Sequence, residues 1–431
     1  MFLALLLLPD ARSRTGLYLL VFSAGSLLSL VAARSLSASR LGFLLICAAG
    51  FRATLLPRPA DLSDDLHRYL WDGRVARSGV SPYARAPADP ALASLDPALR
   101  ARVAHPEIRT VYPPVAQAAF RVFGHGERGI ALKALFAAAD VAIVALLWRP
   151  GPGGAFAAAL YAFHPLPVTE TAGQGHIDSL GAALLLASLS HLARGGRLAA
   201  GLAFGASVLT KYVSLAALPA LVRRGRAPFA AAAAVLCGAV WWSAAGQASP
   251  TGGFSEFALR WDSNSILYPA VVAAMDASEF PRRVKRAFIG WKERHGHPPW
   301  TQRVFPYFYS AFFARVALAL LLAGTLAWIA VRVRDAGAAA FASLAALLLL
   351  SPTLHPWYLL WVLPFAAARR EPAFLYLSYA APVSYLLLSP APALSRGAVL
   401  AIQYAPFVLL LGAGALRSAR GRPDAPPGSP V

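Results

Sequence analysis

Charge is scarce in this chain: 14% of its 431 residues are charged, where a water-soluble protein carries about 25%. Acidic residues are scarcer still, twenty against forty Lys plus Arg, which leaves a formal net charge of +20. Cysteine is nearly absent. Cys47 and Cys237 lie in separate apolar stretches, which excludes a disulfide framework or a zinc site. Lysine is also rare: Lys133, Lys211, Lys285 and Lys292 stand among arginines. What fills the chain is apolar, 58% of all residues. In a polar chain so basic a total would point to nucleic acid. Here apolar runs cover most of the length, and the solvent for them is lipid. A soluble enzyme, a disordered protein and a DNA-binding domain are excluded.

A spanning helix needs about 20 mainly apolar residues. Candidates fall at 17–33, 40–56, 129–148, 154–170, 176–192, 227–246, 305–331, 337–352, 356–368, 372–388 and 397–416. The expected fold is an all-α polytopic membrane protein with about 11–13 membrane helices, allowing for soft boundaries. Met1 to Leu8 is apolar but too short to span and lacks a signal peptide's basic leader. It reads as a truncated start or a surface-lying turn.

Short cytoplasmic loops collect Lys and Arg, so arginine placement gives orientation. Arg34 and Arg40, Arg149, Arg194 and Arg197, Arg223, Arg224 and Arg226, Arg332 and Arg334, Arg369 and Arg370, and Arg417, Arg420 and Arg422 share the inner face. Arg12 and Arg14 run against the pattern, because it puts the N-terminus outside. One span over 198–222 would separate Arg194/Arg197 from Arg223/Arg224/Arg226. Keeping both inside requires a helical pair, 198–210 and 212–221, with Lys211 at its tip; a single span with a snorkelling lysine is the plainer reading.

The expected organisation is membrane helices over 1–56, an extracytoplasmic loop over 57–112, and membrane helices over 113–246 containing the pair at 198–221. A second long outer loop follows over 247–304, then membrane helices over 305–418 and a disordered cytoplasmic tail over 419–431. Loops this long are usually functional or disordered. Their aromatics and prolines favour folding, with interfacial helices in the first.

In that first loop Asp61, Asp64, Asp65, Arg68 and Asp72 recur at offsets that share one stripe of a helix, with Leu62, Leu66 and Leu70 opposite. Such a helix could lie in the membrane interface, leucines down and carboxylates facing a cavity. The plainer reading is a capped surface helix with an Asp–Arg pair. Around it come Tyr69, Trp71, Tyr83, His105, Glu107 and Tyr112. Aromatics interleaved with carboxylates and arginines suit sugar binding, although Tyr and Trp also anchor interfacial helices.

Polar residues within membrane segments mark function by default. His164, Glu170, His176 and Asp178 surround a Gly173-Gln-Gly turn whose helix N-terminus could hold a phosphate. His355 sits in a further outer turn, and with Lys211 these turns could converge on one outward cavity. The four residues around the glycine turn could instead ligate a metal, although their spacing matches no familiar ligand motif. No cofactor is called for, and a divalent metal is not indicated.

Paired carboxylates, aromatic loops and embedded cations together suggest sugar transfer from a lipid-phosphate donor. An acceptor hydroxyl loses its proton to a carboxylate as it attacks the anomeric carbon. The departing phosphate is stabilised by Lys or Arg and aligned N–H groups. Attack opposite the leaving group inverts the anomeric centre.

The run Ser63-Asp-Asp65-Leu-His-Arg68-Tyr69-Leu-Trp71-Asp72-Gly73-Arg74, with Gly79-Val-Ser-Pro82-Tyr83, His105-Pro-Glu107-Ile and Tyr112-Pro113-Pro114, resembles the multi-spanning GT-C glycosyltransferases. More narrowly it is similar to bacterial polyprenol-phosphate-mannose-dependent mannosyltransferases, distant relatives of the GPI mannosyltransferase catalytic subunit. Gly173-Gln-Gly-His176-Ile-Asp178, Leu209-Thr-Lys211-Tyr212 and His355-Pro-Trp357-Tyr358-Leu-Leu-Trp361 resemble further family motifs, so the likeness runs from about 40 to 370.

The resemblance implies a GT-C-like bundle whose catalytic base is an aspartate of the first outer loop, Asp64 or Asp65. Asp64 is preferred, as the first of an acidic pair. Donor phosphate and lipid fall to Lys211, His176, His355 and Arg68; substrate contacts fall to Tyr69, Trp71, Asp72, Tyr83, His105, Glu107, Tyr112 and Asp178. The implied partners are a polyprenyl-phosphate sugar, with mannose from resemblance alone, a glycan or glycolipid acceptor, and the bilayer of the cell membrane. Nucleic acid is not among them. The span at 17–33 and the arginine-rich loop 281–303 fit the resemblance less well. Competing readings are a transporter or flippase of polyprenyl-linked glycan, or a noncatalytic subunit of an envelope assembly complex.

Overall fold

The computed structural model describes residues 1–36, 40–150, 152–245, 252–389 and 392–419. The tail read as disordered lies outside them from residue 420 onward. In lipid, a spanning backbone must satisfy its own hydrogen bonds, so long alanine- and leucine-rich runs fold as helices. Among the described residues no strand forms, and the protein is an all-α polytopic membrane protein.

The helices of nine residues or more are α1 (Thr15–Ser35), α2 (Leu41–Leu55), α3 (Asp65–Arg77), α4 (Pro114–Phe123), α5 (Ile130–Leu147), α6 (Pro152–Phe163), α7 (Asp178–Ala193) and α8 (Arg197–Thr210). After them come α9 (Leu218–Ala245), α10 (Gly252–Arg260), α11 (Leu267–Ala277), α12 (Phe280–Arg294), α13 (Ser310–Arg332), α14 (Ala336–Leu350), α15 (Pro372–Ala380) and α16 (Arg396–Ala419).

Among the described residues, α1, α5, α13 and α16 are long and apolar enough to cross a bilayer alone. Pro165–Gly173 and α7 pass together as a fifth, bent by 120°. The other expected spans are shorter or interrupted, and proline explains several of the breaks. The helix expected over 154–170 stops at Phe163, before His164-Pro165. The one expected over 356–368 is a 3-10 stretch, Pro356–Trp361, followed by the short helix Leu363–Arg369. Such irregular backbone is tolerated at depth because protein covers it: Val168–Gly173 is buried throughout.

The arginine clusters at 194–197, 223–226, 332–334 and 369–370 meet at one end of the bundle. Arg223 donates to the carbonyls of Ala330 and Val331, and Arg224 to those of Val333 and Arg334, all around the C-terminus of α13. Arg197, Arg224 and Arg334 line one hollow there, and Arg369 pairs with the nearby Asp335. From that end α8 runs for 14 residues, about 21 Å. It breaks at Lys211, whose backbone is extended. The return leg is the 3-10 stretch Tyr212–Ala217 and the start of α9, up to a kink at Arg226 where φ is +59°. Over 212–217 of the expected second leg, 3-10 geometry replaces the α-helix, rising about 2 Å per residue and closing the distance in fewer residues.

The first long loop folds over α3. Leu66, Tyr69 and Leu70 share a stripe, and α4 and α5 cover it with Ala116, Phe120, Leu132 and Phe136. The leucines are thus packed on protein rather than on lipid. Arg12, the exception to the arginine pattern, is held at this same end: it donates to the Asp61 carbonyl at 3.1 Å and pairs with Asp64 at 3.1 Å. Local carboxylates account for its placement.

Candidate functional site

A cavity of about 380 Å³ opens at the end opposite the arginine clusters. Asp64, Asp65, Arg68, His105, Tyr112, Lys211 and His355 all line it. Six of these come from loops or helix ends, and Arg68 from the second turn of α3. That is where chain breaks can aim polar groups inward.

Asp65 opens α3, where its backbone N–H donates to Ser63 Oγ at 3.3 Å. Its side chain is one-third exposed, and Oδ2 lies 3.5 Å from His176 Nδ1. Burial alone would raise this carboxyl, but His176, with Lys211 and His355 behind it, holds it below the usual carboxylate range. Among the described residues Asp65 makes no ion pair with Lys or Arg. Asp64 differs: it is exposed and paired with Arg12.

His176 is fully buried between two carboxylates, with Nε2 3.5 Å from Glu170 Oε2. Glu170 in turn accepts from Tyr385 Oη at 2.9 Å. The imidazole stacks on Trp357 at 3.9 Å between centroids, and Trp357 stacks on His355 at 4.4 Å. Burial lowers His355 to about 4, so it is neutral at physiological pH. Gly175 makes this packing possible. Its φ is +80°, in left-handed space, and an added Cβ would come within 3.1 Å of both Leu66 and Lys133.

Lys211 is anchored from behind. Its Nζ lies 2.8 and 2.9 Å from the two oxygens of Asp178, a wholly buried carboxylate that also accepts from Trp361 Nε1 at 2.7 Å. Gly181, one turn along α7, leaves the space that Trp361 occupies: an added Cβ would stand 2.3 Å from that ring. The ammonium sits 4.6 Å from the centroid of the Tyr358 ring.

The remaining sequence-derived candidates are spread more widely. Arg68 binds Asp72 at 2.9 Å and the Ile108 carbonyl at 2.9 Å, and Asp72 accepts from Gln117 at 3.0 Å. These bonds fasten α3 to the loop and to α4. Tyr69 stacks on Phe120 at 4.5 Å, inside the core. Trp71 packs with Val75, Leu92 and Val103, away from the cavity. Tyr83 donates to the Tyr112 carbonyl at 3.0 Å and braces it from outside the cavity lining. Glu107 is exposed beside His105, which packs edge-on against Trp261 at 4.3 Å.

The four candidate metal ligands do not form one shell. Asp178 is engaged by Lys211 and Trp361, while His164 bonds Ser378 at 2.9 Å and stacks on Tyr379. Among the described residues no cluster of three or more such groups is placed to hold a metal.

The sequence reading missed the apolar wall made by Val213, Phe254, Phe257, Trp261, Leu347 and Leu348. Those residues meet because Ser263 bridges Thr353, with the Leu354 N–H donating to the Ser263 carbonyl at 2.9 Å. Aromatics at i, i+3 and i+7, Phe254 and Phe257 on α10 and Trp261 just after it, were the available signal.

These features define a class: a helical membrane protein with a largely apolar cavity at one end of its bundle, into which a few charged groups project. The model of glycosyltransferase family 87 matches residues 110–352, and the chain belongs to that family. It is a glycosyltransferase with membrane helices. The match takes in Tyr112, His176, Asp178 and Lys211, and leaves Asp64, Asp65 and His355 outside it. No curated protein and no solved structure matches the chain.

Proposed function

We propose that this glycosyltransferase moves mannose from a polyprenyl-phosphate donor to a glycan or glycolipid acceptor on the extracytoplasmic face, with inversion and a GT-C-like architecture. Asp65 is the base. The acceptor O–H gives its proton to Asp65 as its oxygen bonds the anomeric carbon. The bond from that carbon to the phosphate oxygen breaks, and polyprenyl phosphate leaves with the electron pair.

The observation that carries this reading is the Asp65 carboxylate, kept ionised and free of any Arg or Lys pair, on the same cavity as Lys211. Lys211 has three N–H donors, of which Asp178 takes two; the third serves the departing phosphate. The apolar wall suits the first isoprene units, and Arg68, Tyr112 and His105 suit sugar or acceptor hydroxyls. His176 and Glu170 orient Asp65 from behind. Asp64, already held by Arg12 at the surface, suits the base role less well. Arginine clusters at the far end support an extracytoplasmic cavity. Membership in a glycosyltransferase family leaves the flippase reading without support.

The test is to reconstitute the purified protein with polyprenyl-phosphate [14C]mannose and, separately, with nucleotide-linked [14C]mannose, and follow the label. Transfer is expected from the lipid donor alone. Transfer from the nucleotide sugar alone would overturn the donor assignment.

A further inference from the structure

Helix α12 takes no part in the cavity, yet it is the most basic stretch of the chain. Six basic residues, Arg282, Arg283, Lys285, Arg286, Lys292 and Arg294, stand against a single acidic one, Glu293. Phe280, Val284, Phe288 and Trp291 fall on one arc of the helix. Lys285 and Lys292 edge that arc on one side, Arg283 and Arg294 on the other, and Arg282 and Arg286 lie opposite. Only Pro281 is fully buried. Among the described residues its one ion pair to a neighbouring carboxylate is Arg282 with Glu279, at 3.6 Å.

Its position is fixed by α13. Phe280 packs against Phe313, in the first turn of α13, at 5.4 Å between centroids. The other end of α13 carries Arg332, among the arginine clusters. The helix has 23 residues, about 34 Å, which matches the roughly 30 Å hydrocarbon layer. Helix α12 therefore lies at the opposite bilayer boundary. Exposed Trp300, Phe305, Tyr307 and Tyr309 occupy the same level, as aromatic belts do. The ammonium groups of Lys285 and Lys292 sit 4.9 and 5.8 Å from the Phe305 ring centroid, so cations and belt form one surface.

We infer that α12 and the aromatic turn after it form a docking surface for anionic phospholipid headgroups on the cavity side of the membrane. Phe288 and Trp291 of the arc pack on Trp300 and Phe308 of the turn, so the exposed Phe280, Trp300 and Phe305 enter the acyl boundary and the cations of α12 reach the phosphates above them. The helix gains support there that its sparse packing on the bundle does not provide, since a 15-residue helix is marginal alone.

The test compares the full-length protein in nanodiscs of neutral phosphatidylcholine with discs containing phosphatidylglycerol. Amide hydrogen exchange over 280–294 is expected to slow by about tenfold in the anionic discs, and the slowing should disappear at high salt. The triple variant Arg283→Glu, Lys285→Glu, Lys292→Glu should lose the difference between discs while exchange in α7 and α8 stays as in wild type. Equal exchange of the wild type in both discs would overturn the inference. So would protection that arises only on adding an anionic polysaccharide, which would assign the surface to an acceptor.

Discussion

Lys211 and Asp178 form a pair whose two ends are unequally protected, and that inequality has a measurable consequence. Asp178 has no exposed surface, while the Lys211 side chain is 15% exposed toward the cavity. Lys211→Met leaves a buried carboxylate with Trp361 Nε1 as its one remaining side-chain donor. Removing one partner of a buried pair costs about 3–5 kcal/mol, and this case belongs at the upper end. Asp178→Asn keeps the shape and an acceptor for Trp361, and lets the ammonium lean into the cavity; about 3 kcal/mol is expected. The double variant removes both charges. It should be more stable than Lys211→Met alone by about 2–3 kcal/mol, a factor of roughly 30 to 150 in the unfolding equilibrium. Reversible unfolding of the four proteins in mixed micelles measures this. Strictly additive losses would refute the reasoning, because the pair would then carry no coupling.

Three further outcomes can be checked together. Glu170→Gln retains an acceptor for Tyr385 but replaces the carboxyl group that faces His176 at 3.5 Å, so turnover should fall about 10-fold, the loss of one polar contact behind Asp65. An unchanged donor KM is expected with it, and wild-type turnover would remove Glu170 from the positioning of Asp65. His355 is neutral in the folded protein down to about pH 4, whereas the unfolded chain takes up that proton near the ordinary histidine value of about 6.5. The unfolded state thus binds more protons in between, so stability should fall as pH drops from about 6.5 to about 4. His355→Gln should flatten that window, and an unaltered slope in the variant's denaturation profile would contradict the assignment. In a background lacking Cys47 and Cys237, an impermeant maleimide should label Ala91→Cys in intact cells and spare Ala199→Cys; the reverse pattern would invert the orientation.

Much of this arrangement was legible where a local constraint forced it. Arginines at 194–197 and 223–226 could not share one face unless the chain turned between them, and it turns at Lys211. The spacing put Asp65, Arg68 and Asp72 on one helix stripe, but the helix begins at Asp65 and leaves Asp61 in the preceding loop, where it pairs with Arg58. Side-chain destinations were harder to read, because they depend on what covers each face. Tyr69 and Trp71 looked like sugar platforms, but α4 and the residues around Leu92 and Val103 claim their faces. His176 meets Glu170 through a π-helical turn and a left-handed Gly175, which no 3.6-residue pattern encodes. The wall from α10 depends on Asn264 reaching the Leu354 carbonyl across 90 residues of chain. Pairings at that separation are set by tertiary packing.

Replacing each aspartate of the acidic pair in turn tests the base most directly. With polyprenyl-phosphate [14C]mannose and membrane-inserted protein, Asp65→Asn should lower kcat by at least about a hundredfold, while Asp64→Asn, losing only its contact with Arg12, should stay within about threefold of wild type. Wild-type turnover by Asp65→Asn, with Asp64→Asn inactive, would contradict the assignment.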